Sequence, residues 1–170
     1  MSISITGSRL HDMKVLAFDP SYKTTGFAVV EGRKLIAYGI IRLPGQSDSE
    51  KFAQLYGDVQ SLCRQYEVGR GVVEVPPSFS YTRSTNERGK ALNFSAIQKV
   101  SCATAVILAS LGNMDIRVIE ASAHQWKLCF GGNLTKKHMI RIAKGTFPEL
   151  RSIRITDHEA EAVCLAALNA

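Results

Sequence analysis

Three acidic residues stand where carboxylates are costly. Asp19 closes the apolar run KVLAF, Glu74 interrupts GVVEVPP, and Glu161 lies among Ala, Val, Cys and Leu near the C-terminus. Burying one unpaired carboxylate is expensive, and bringing three together drives their pKa values upward unless a cation neutralises them. Magnesium and manganese are hard ions that prefer carboxylate oxygens, and two of them about 4 Å apart can clamp a phosphodiester while water attacks in line. One acid on each of two strands and a third on a closing helix therefore point to metal-assisted phosphodiester hydrolysis. Blander explanations exist for two of them: an Asx-type turn before Pro20 for Asp19, and a pairing with a basic neighbour on an edge strand for Glu74, which Pro76 and Pro77 make respectable.

The closing segment TDHEAEAVCLAAL separates structural acids from chemical ones. Thr156 with Glu159 three residues later fits a capping box, and Asp157 in the first turn suits the positive end of a helix. At about 100° per residue, Glu161 falls within roughly 60° of His158 and 40° of Asp157, whereas Glu159 points almost the opposite way. Glu161 has no capping role, which makes it the first candidate ligand on this helix. His158 is the second, with Asp157 as its alternative.

The elements that must position these residues follow from periodicity and turn signals. After KVLAF and the turn PSYKTTG come the strands FAVVEG and KLIAYGII, with Gly32 marking the hairpin. Phe52, Leu55, Tyr56, Val59 and Leu62 recur at three- and four-residue steps and predict a helix from Ser49 to about Tyr66. GVVEVPP is a β-branched strand stopped by its prolines. A polar stretch, SFSYTRSTNERGK, leads to a helix from about Ala91 to Leu111, then come the strand IRVIEA, a basic helical region and a helix over Asp157–Ala167. Three antiparallel strands first, parallel ones after and helices on both faces predict an α/β domain with a five-stranded mixed sheet.

At 170 residues and 45% hydrophobic content the chain has material for one core. The first 13 residues are polar and aperiodic and read as a flexible arm; residues 14–170 read as a single domain. Arg117 to Arg154 holds eight Lys and Arg against two acids, an excess of six that equals the net charge of the whole chain. A basic surplus confined to one segment is the footprint of a polyanion partner. Cys63, Cys102, Cys129 and Cys164 lie far apart with no C-x-x-C pair, and read as reduced core thiols. No apolar run reads as membrane-spanning, and MSISITGSRLHDM lacks a signal-peptide core, so the sequence reads as a cytoplasmic protein or its organellar or viral-host equivalent.

Taken together these segments resemble the RuvC family of Holliday junction resolvases, within the ribonuclease H-like superfamily. VLAFDPSYKTTGFAVV is similar to that family's first hairpin and VVEVPP to its second acidic strand. VIEASAHQWKLCFGGNLTKKHMIRI resembles the segment carrying one Lys after a β/α junction and another in a glycine-led helix. HEAEAVCLA resembles the closing helix, where two metal-binding residues lie three apart. The resemblance covers most of the chain from Lys14 onward. It implies a ribonuclease H-like fold in which Asp19, Glu74, His158 and Glu161 bind two Mg2+ ions, with Mn2+ able to substitute. Lys127 and Lys136, with Lys137 beside it and Arg141 following, would contact the DNA backbone near the scissile phosphate. His158 stands where many members have Asp, which leaves Asp157 open as the ligand instead; an imidazole would favour manganese more than an all-oxygen site does.

A resolvase must also hold the crossover open, and aromatic side chains suit that task. Phe79, Tyr81 and Phe94 lie with Arg83, Arg88, Lys90 and Lys99 directly after the Glu74 strand, and the sequence leaves open which aromatic is the wedge. The expected activity is that of a metal-dependent endodeoxyribonuclease acting on four-way or other branched DNA as a homodimer. The long helix ending near Leu111 is the expected dimer surface. Two alternatives are an RNA-processing nuclease of the same superfamily and a junction-binding protein without catalysis.

Overall fold

β1 (Lys14–Asp19), β2 (Thr24–Glu31) and β3 (Lys34–Arg42) form an antiparallel meander. Gly32, at a positive φ of 55°, lets β2 turn tightly into β3. α1 (Asp48–Tyr66) carries the chain back so that β4 (Arg70–Val75) pairs parallel to β1, and α2 (Phe94–Gly112) does the same for β5 (Arg117–Ser122) beside β4. The strand order is β3-β2-β1-β4-β5, with β1 at the centre. This is the five-stranded mixed sheet that the alternation of elements predicts. The basic region resolves into α3 (Ala123–Leu128) and α4 (Lys136–Thr146), and a 3-10 turn (Pro148–Leu150) leads to α5 (Asp157–Ala167). The structure, a computed structural model, describes residues 13–76, 94–132 and 134–170. Residues 1–12 of the expected arm, and Phe79, Tyr81, Arg83, Arg88 and Lys90, lie outside the described residues, as does the side chain of Phe94.

Each face of the sheet buries its own core. Leu16, Phe18, Val29 and Val73 pack against Leu55, Val59 and Cys63 of α1 and Ala103, Ile107 and Leu111 of α2. On the other face Val15, Ala17, Ala28, Val30 and Val72 pack against Trp126 of α3, Met139 and Ala143 of α4, and a run of α5 from Ala160 to Ala166. Capping boxes start α1, at Ser47 with Glu50, and α5, at Thr156 with Glu159. The α5 box is the one read from the sequence, and it accounts for Glu159.

Two sequence expectations need correction. Cys63 and Cys164 are buried, with burial pushing their thiols up to about 11 and about 12, but Cys102 and Cys129 are exposed. Cys102 sits in an apolar helix, yet among its described side chains only Ala103, Thr104, Ile107, Ser110 and Leu111 turn fully inward. The same helix also contains an apolar stretch that, by length and composition alone, is sufficient to cross a membrane, Ser95–Gly112, of which 28% is buried. Its inner residues are core of the domain, and its outer side presents Ser101, Cys102, Ala105 and Ala109.

Candidate active site

Side chains alternate along a strand, and this parity brings the acids together. In β1, Val15 and Ala17 face the α3–α5 side, while Leu16 and Phe18 face α1 and α2. Asp19 continues the first series. In β4, Val72 faces the α3–α5 side and Val73 the other, so Glu74 falls on the same side as Asp19. The parallel register ends at Phe18 with Val73, which leaves the two acids adjacent one residue further along. β4 lies between β1 and β5, so the edge-strand explanation of Glu74 does not apply.

The third acid arrives from α5, which crosses this face of the sheet. Its close approach depends on Gly26, the β2 partner of Asp19: a Cβ there would lie 2.2 Å from the carbonyl oxygen of His158. With α5 seated on that glycine, one carboxylate oxygen each from Asp19, Glu74 and Glu161 lies within 4.8 Å of the others. Asp19 is buried and the other two are half-buried.

The surroundings of the cluster are partly compensating. Trp126 Nε1 donates to Glu74 Oε2 at 2.8 Å, and Lys127 Nζ donates to Glu161 Oε2 at 2.8 Å. Burial pushes the Glu74 carboxyl up to about 7, with the Asp19 charge adding to the rise and Lys127 and the Trp126 hydrogen bond opposing it. Burial alone would depress the Lys127 ammonium, but its bond to Glu161 and the charges of Glu74, Glu161 and Asp19 together hold it above its ordinary value. His158 Nδ1 is hydrogen-bonded to Asp19 Oδ2; that bond and the Asp19 charge raise the imidazole pKa against the effect of burial. One ammonium is thus shared among three acids, and the pocket keeps an excess of negative charge suited to a divalent cation.

Asp157 stands apart from the triplet. Its carboxylate pairs with the Lys136 ammonium, which holds it below the usual carboxylate range. Lys136, Lys137 and Arg141 are exposed on α4, whose inner side is anchored by Met139 and Ala143. A cleft of about 370 Å³ opens between α3 and the following Gly131–Gly132 turn, lined by His124, Lys127 and Leu128 among others; Lys127, not any of the three acids, is its link to the cluster.

No family model matches the chain. The crossover junction endodeoxyribonuclease RuvC of Parasynechococcus marenigrum is 27% identical over 125 residues, 71% of this chain and 73% of that protein. RuvC of Syntrophomonas wolfei is 28% identical over 160 residues, 91% of this chain and 86% of its own length. Among solved structures, T. thermophilus RuvC in complex with a Holliday junction substrate superposes with a TM-score of 0.70 at 18% identity, covering 91% of this chain and 90% of that one. Along most of its length this chain is similar to RuvC proteins. The sheet order and the helices flanking it are those of a ribonuclease H-like fold.

Within this domain the structure gathers Asp19, Glu74 and Glu161, sets His158 against Asp19, and places Lys127 at the rim of the cluster. Trp126 and Gly26 have direct roles in the site's geometry that the sequence reading left unassigned. A signal for Trp126 existed: it is the chain's single Trp, it immediately precedes Lys127, and a buried indole N–H needs an acceptor.

Proposed function

We propose that this chain is a structure-selective endonuclease that resolves four-way or other branched DNA by phosphodiester hydrolysis, acting as a homodimer. The observation that carries this reading is the convergence of three carboxylates from β1, β4 and α5, in a chain whose relatives are named crossover junction endodeoxyribonucleases. An all-carboxylate cluster with too little local positive charge fits hard divalent cations, and Mg2+ is the proposed ion, with Mn2+ able to replace it. When bound, two such ions supply Lewis acidity and a water of lowered pKa.

The chain's own residues do the positioning. Asp19, Glu74 and Glu161 would hold the ions, and the Asp19 bond to His158 Nδ1 orients the ring so that Nε2 is the nitrogen available to an ion. Lys127, at the rim of the cleft, is placed to neutralise a phosphate oxygen next to the carboxylates. Lys136, Lys137 and Arg141, exposed along α4, would follow the backbone of the same strand, an electrostatic contact that reads no sequence. Asp157 restrains Lys136 until a phosphate competes for the ammonium.

Two symmetric nicks require two sites in fixed relation, which a C2 dimer supplies. The outer side of α2 is the proposed dimer surface, because it is apolar, built of small residues at Ser101, Cys102, Ala105 and Ala109, and remote from the site's helices on the opposite face of the sheet.

The test is cleavage of synthetic four-way junctions with Mg2+, comparing the parent with Glu161→Gln and Lys127→Ala. The expected result is paired nicking by the parent and loss of cutting in Glu161→Gln with binding retained. Undiminished cutting by Glu161→Gln would remove the metal-site assignment. Preferential cutting of RNA hairpins would favour the RNA-processing alternative, and junction binding without cleavage in both Mg2+ and Mn2+ would mark a non-catalytic binder. Ala105→Arg is expected to yield monomers by analytical ultracentrifugation and to uncouple the two nicks.

A further inference from the structure

Trp126 is almost fully buried, at 4% exposure, and is held on two sides: it packs in the α3–α5 core and stands edge-on to Phe130 at 6.3 Å between centroids. Its one polar atom is spent on Glu74, with Nε1 2.8 Å from Oε2. An indole N–H can only donate, so this contact favours the carboxylate as acceptor and fixes one of its two oxygens. Fixing it matters because Glu74 is a glutamate. Its carboxylate is separated from β4 by one methylene more than an aspartate's would be, and the strand alone does not determine where its oxygens point. The adjacent residue, Lys127, binds Glu161 in the same way. One turn of α3 therefore grips one carboxylate from β4 and one from α5.

We propose that Trp126 is a positioning residue for the metal site: it acts through Glu74, clamping Oε2 so that Oε1 is presented to the cation, and its emission reports the site's occupancy. The proposal rests on the two-metal reading above. Outer hydrogen bonds to metal-ligating side chains contribute about 10–100-fold in metal affinity when removed, and the geometry puts Trp126 in that role for a ligand with an otherwise undetermined orientation.

Because Trp126 is the chain's single tryptophan, it can be replaced throughout by β-(3-benzothienyl)alanine, which keeps the bicyclic shape and exchanges the N–H for sulfur. Binding of Mn2+ is followed by the electron paramagnetic resonance of the free ion, in the parent, the analogue, Trp126→Phe and Glu74→Gln. The expected result is a Mn2+ midpoint about 10–100-fold weaker in the analogue and in Trp126→Phe, with the analogue's metal-free thermal midpoint close to the parent's. In the parent, Trp126 emission should change saturably on adding Mg2+, and Glu74→Gln should abolish the change. A parent that binds Mn2+ and an analogue with the same midpoint would overturn the positioning role. So would parent emission that does not respond at saturating Mg2+, a measurement independent of how well any variant folds. If the parent binds no Mn2+ at all, the metal-site reading itself fails, and the two failures are distinguishable.

Discussion

The two faces of the sheet are built from the same five strands but do different work. On the α1–α2 side every buried residue among those described is apolar or a satisfied hydroxyl, such as Ser110, whose Oγ donates to the Tyr56 carbonyl oxygen at 3.0 Å. On the α3–α5 side the apolar core of Val15, Ala17 and Val72 gives way, at the C-terminal ends of the same two strands, to Asp19 and Glu74. One face is a support whose damage is expected to show as lost stability; the other carries electrostatic strain at its end, where the three acids meet. Strand parity lets both coexist, since a change of residue type at one position affects one face only.

The sharpest break of this comparison is at the acids. Asp19→Asn should lower junction cleavage by roughly 10³-fold or more, a loss of transition-state stabilisation, while leaving the circular dichroism and thermal midpoint close to the parent's. A variant that cut within tenfold of the parent would show that Asp19 is a turn residue after all. The converse substitution on the supporting face is Leu111→Ala. Leu111 is fully buried beside Gly71 of β4, and truncation should cost about 2–5 kcal/mol in urea denaturation without shifting the Mg2+ midpoint of the molecules that remain folded.

Gly26→Ala joins the two effects. The added methyl would lie 2.2 Å from the His158 carbonyl oxygen, so the first turn of α5 must lift from β2. The expected cost is about 1–3 kcal/mol, accompanied, unlike Leu111→Ala, by a weaker metal midpoint, because His158 rides on that turn and Glu161 begins the next. A stability loss with unchanged metal affinity would place the flexibility elsewhere.

The smallest effect carries a pH signature. The folded chain holds the Glu74 proton up to about pH 7, whereas the ordinary carboxyl value is 4.5. The folded state therefore binds more protons than the unfolded one across that window, and the metal-free protein should lose stability as pH rises from 4.5 to 7. Glu74→Gln removes this loss. The variant should be more stable than the parent above pH 7, on the order of 1–2 kcal/mol after screening, and no more stable near pH 4, as measured by urea titrations in EDTA. Saturating Mg2+ should reverse the order by stabilising only the parent.

Much of this is legible in the amino-acid sequence. The alternation of β-branched runs with helical periods was enough for the five-stranded mixed sheet, and the Thr156–Glu159 box was enough to separate Glu159 from Glu161. The basic excess between Arg117 and Arg154 was read directly, and the structure adds that it divides between α3, at the acids, and α4, at the surface. The apolar pattern of α2 was misleading for Cys102, because composition does not say which side of a helix a sheet will cover.

What the sequence determined by itself is the local material: which strands carry an acid, which acid caps a helix, and which segment is cationic, because these depend on residues within a turn or a strand of one another. What only the tertiary structure decided is convergence. The pairing of Asp157 with Lys136 rather than with the acid triplet, the hold of Trp126 on Glu74, and the seat of α5 on Gly26 join residues separated by 21, 52 and more than a hundred positions. No periodicity reaches that far, because contacts of this kind are set by how whole elements cross.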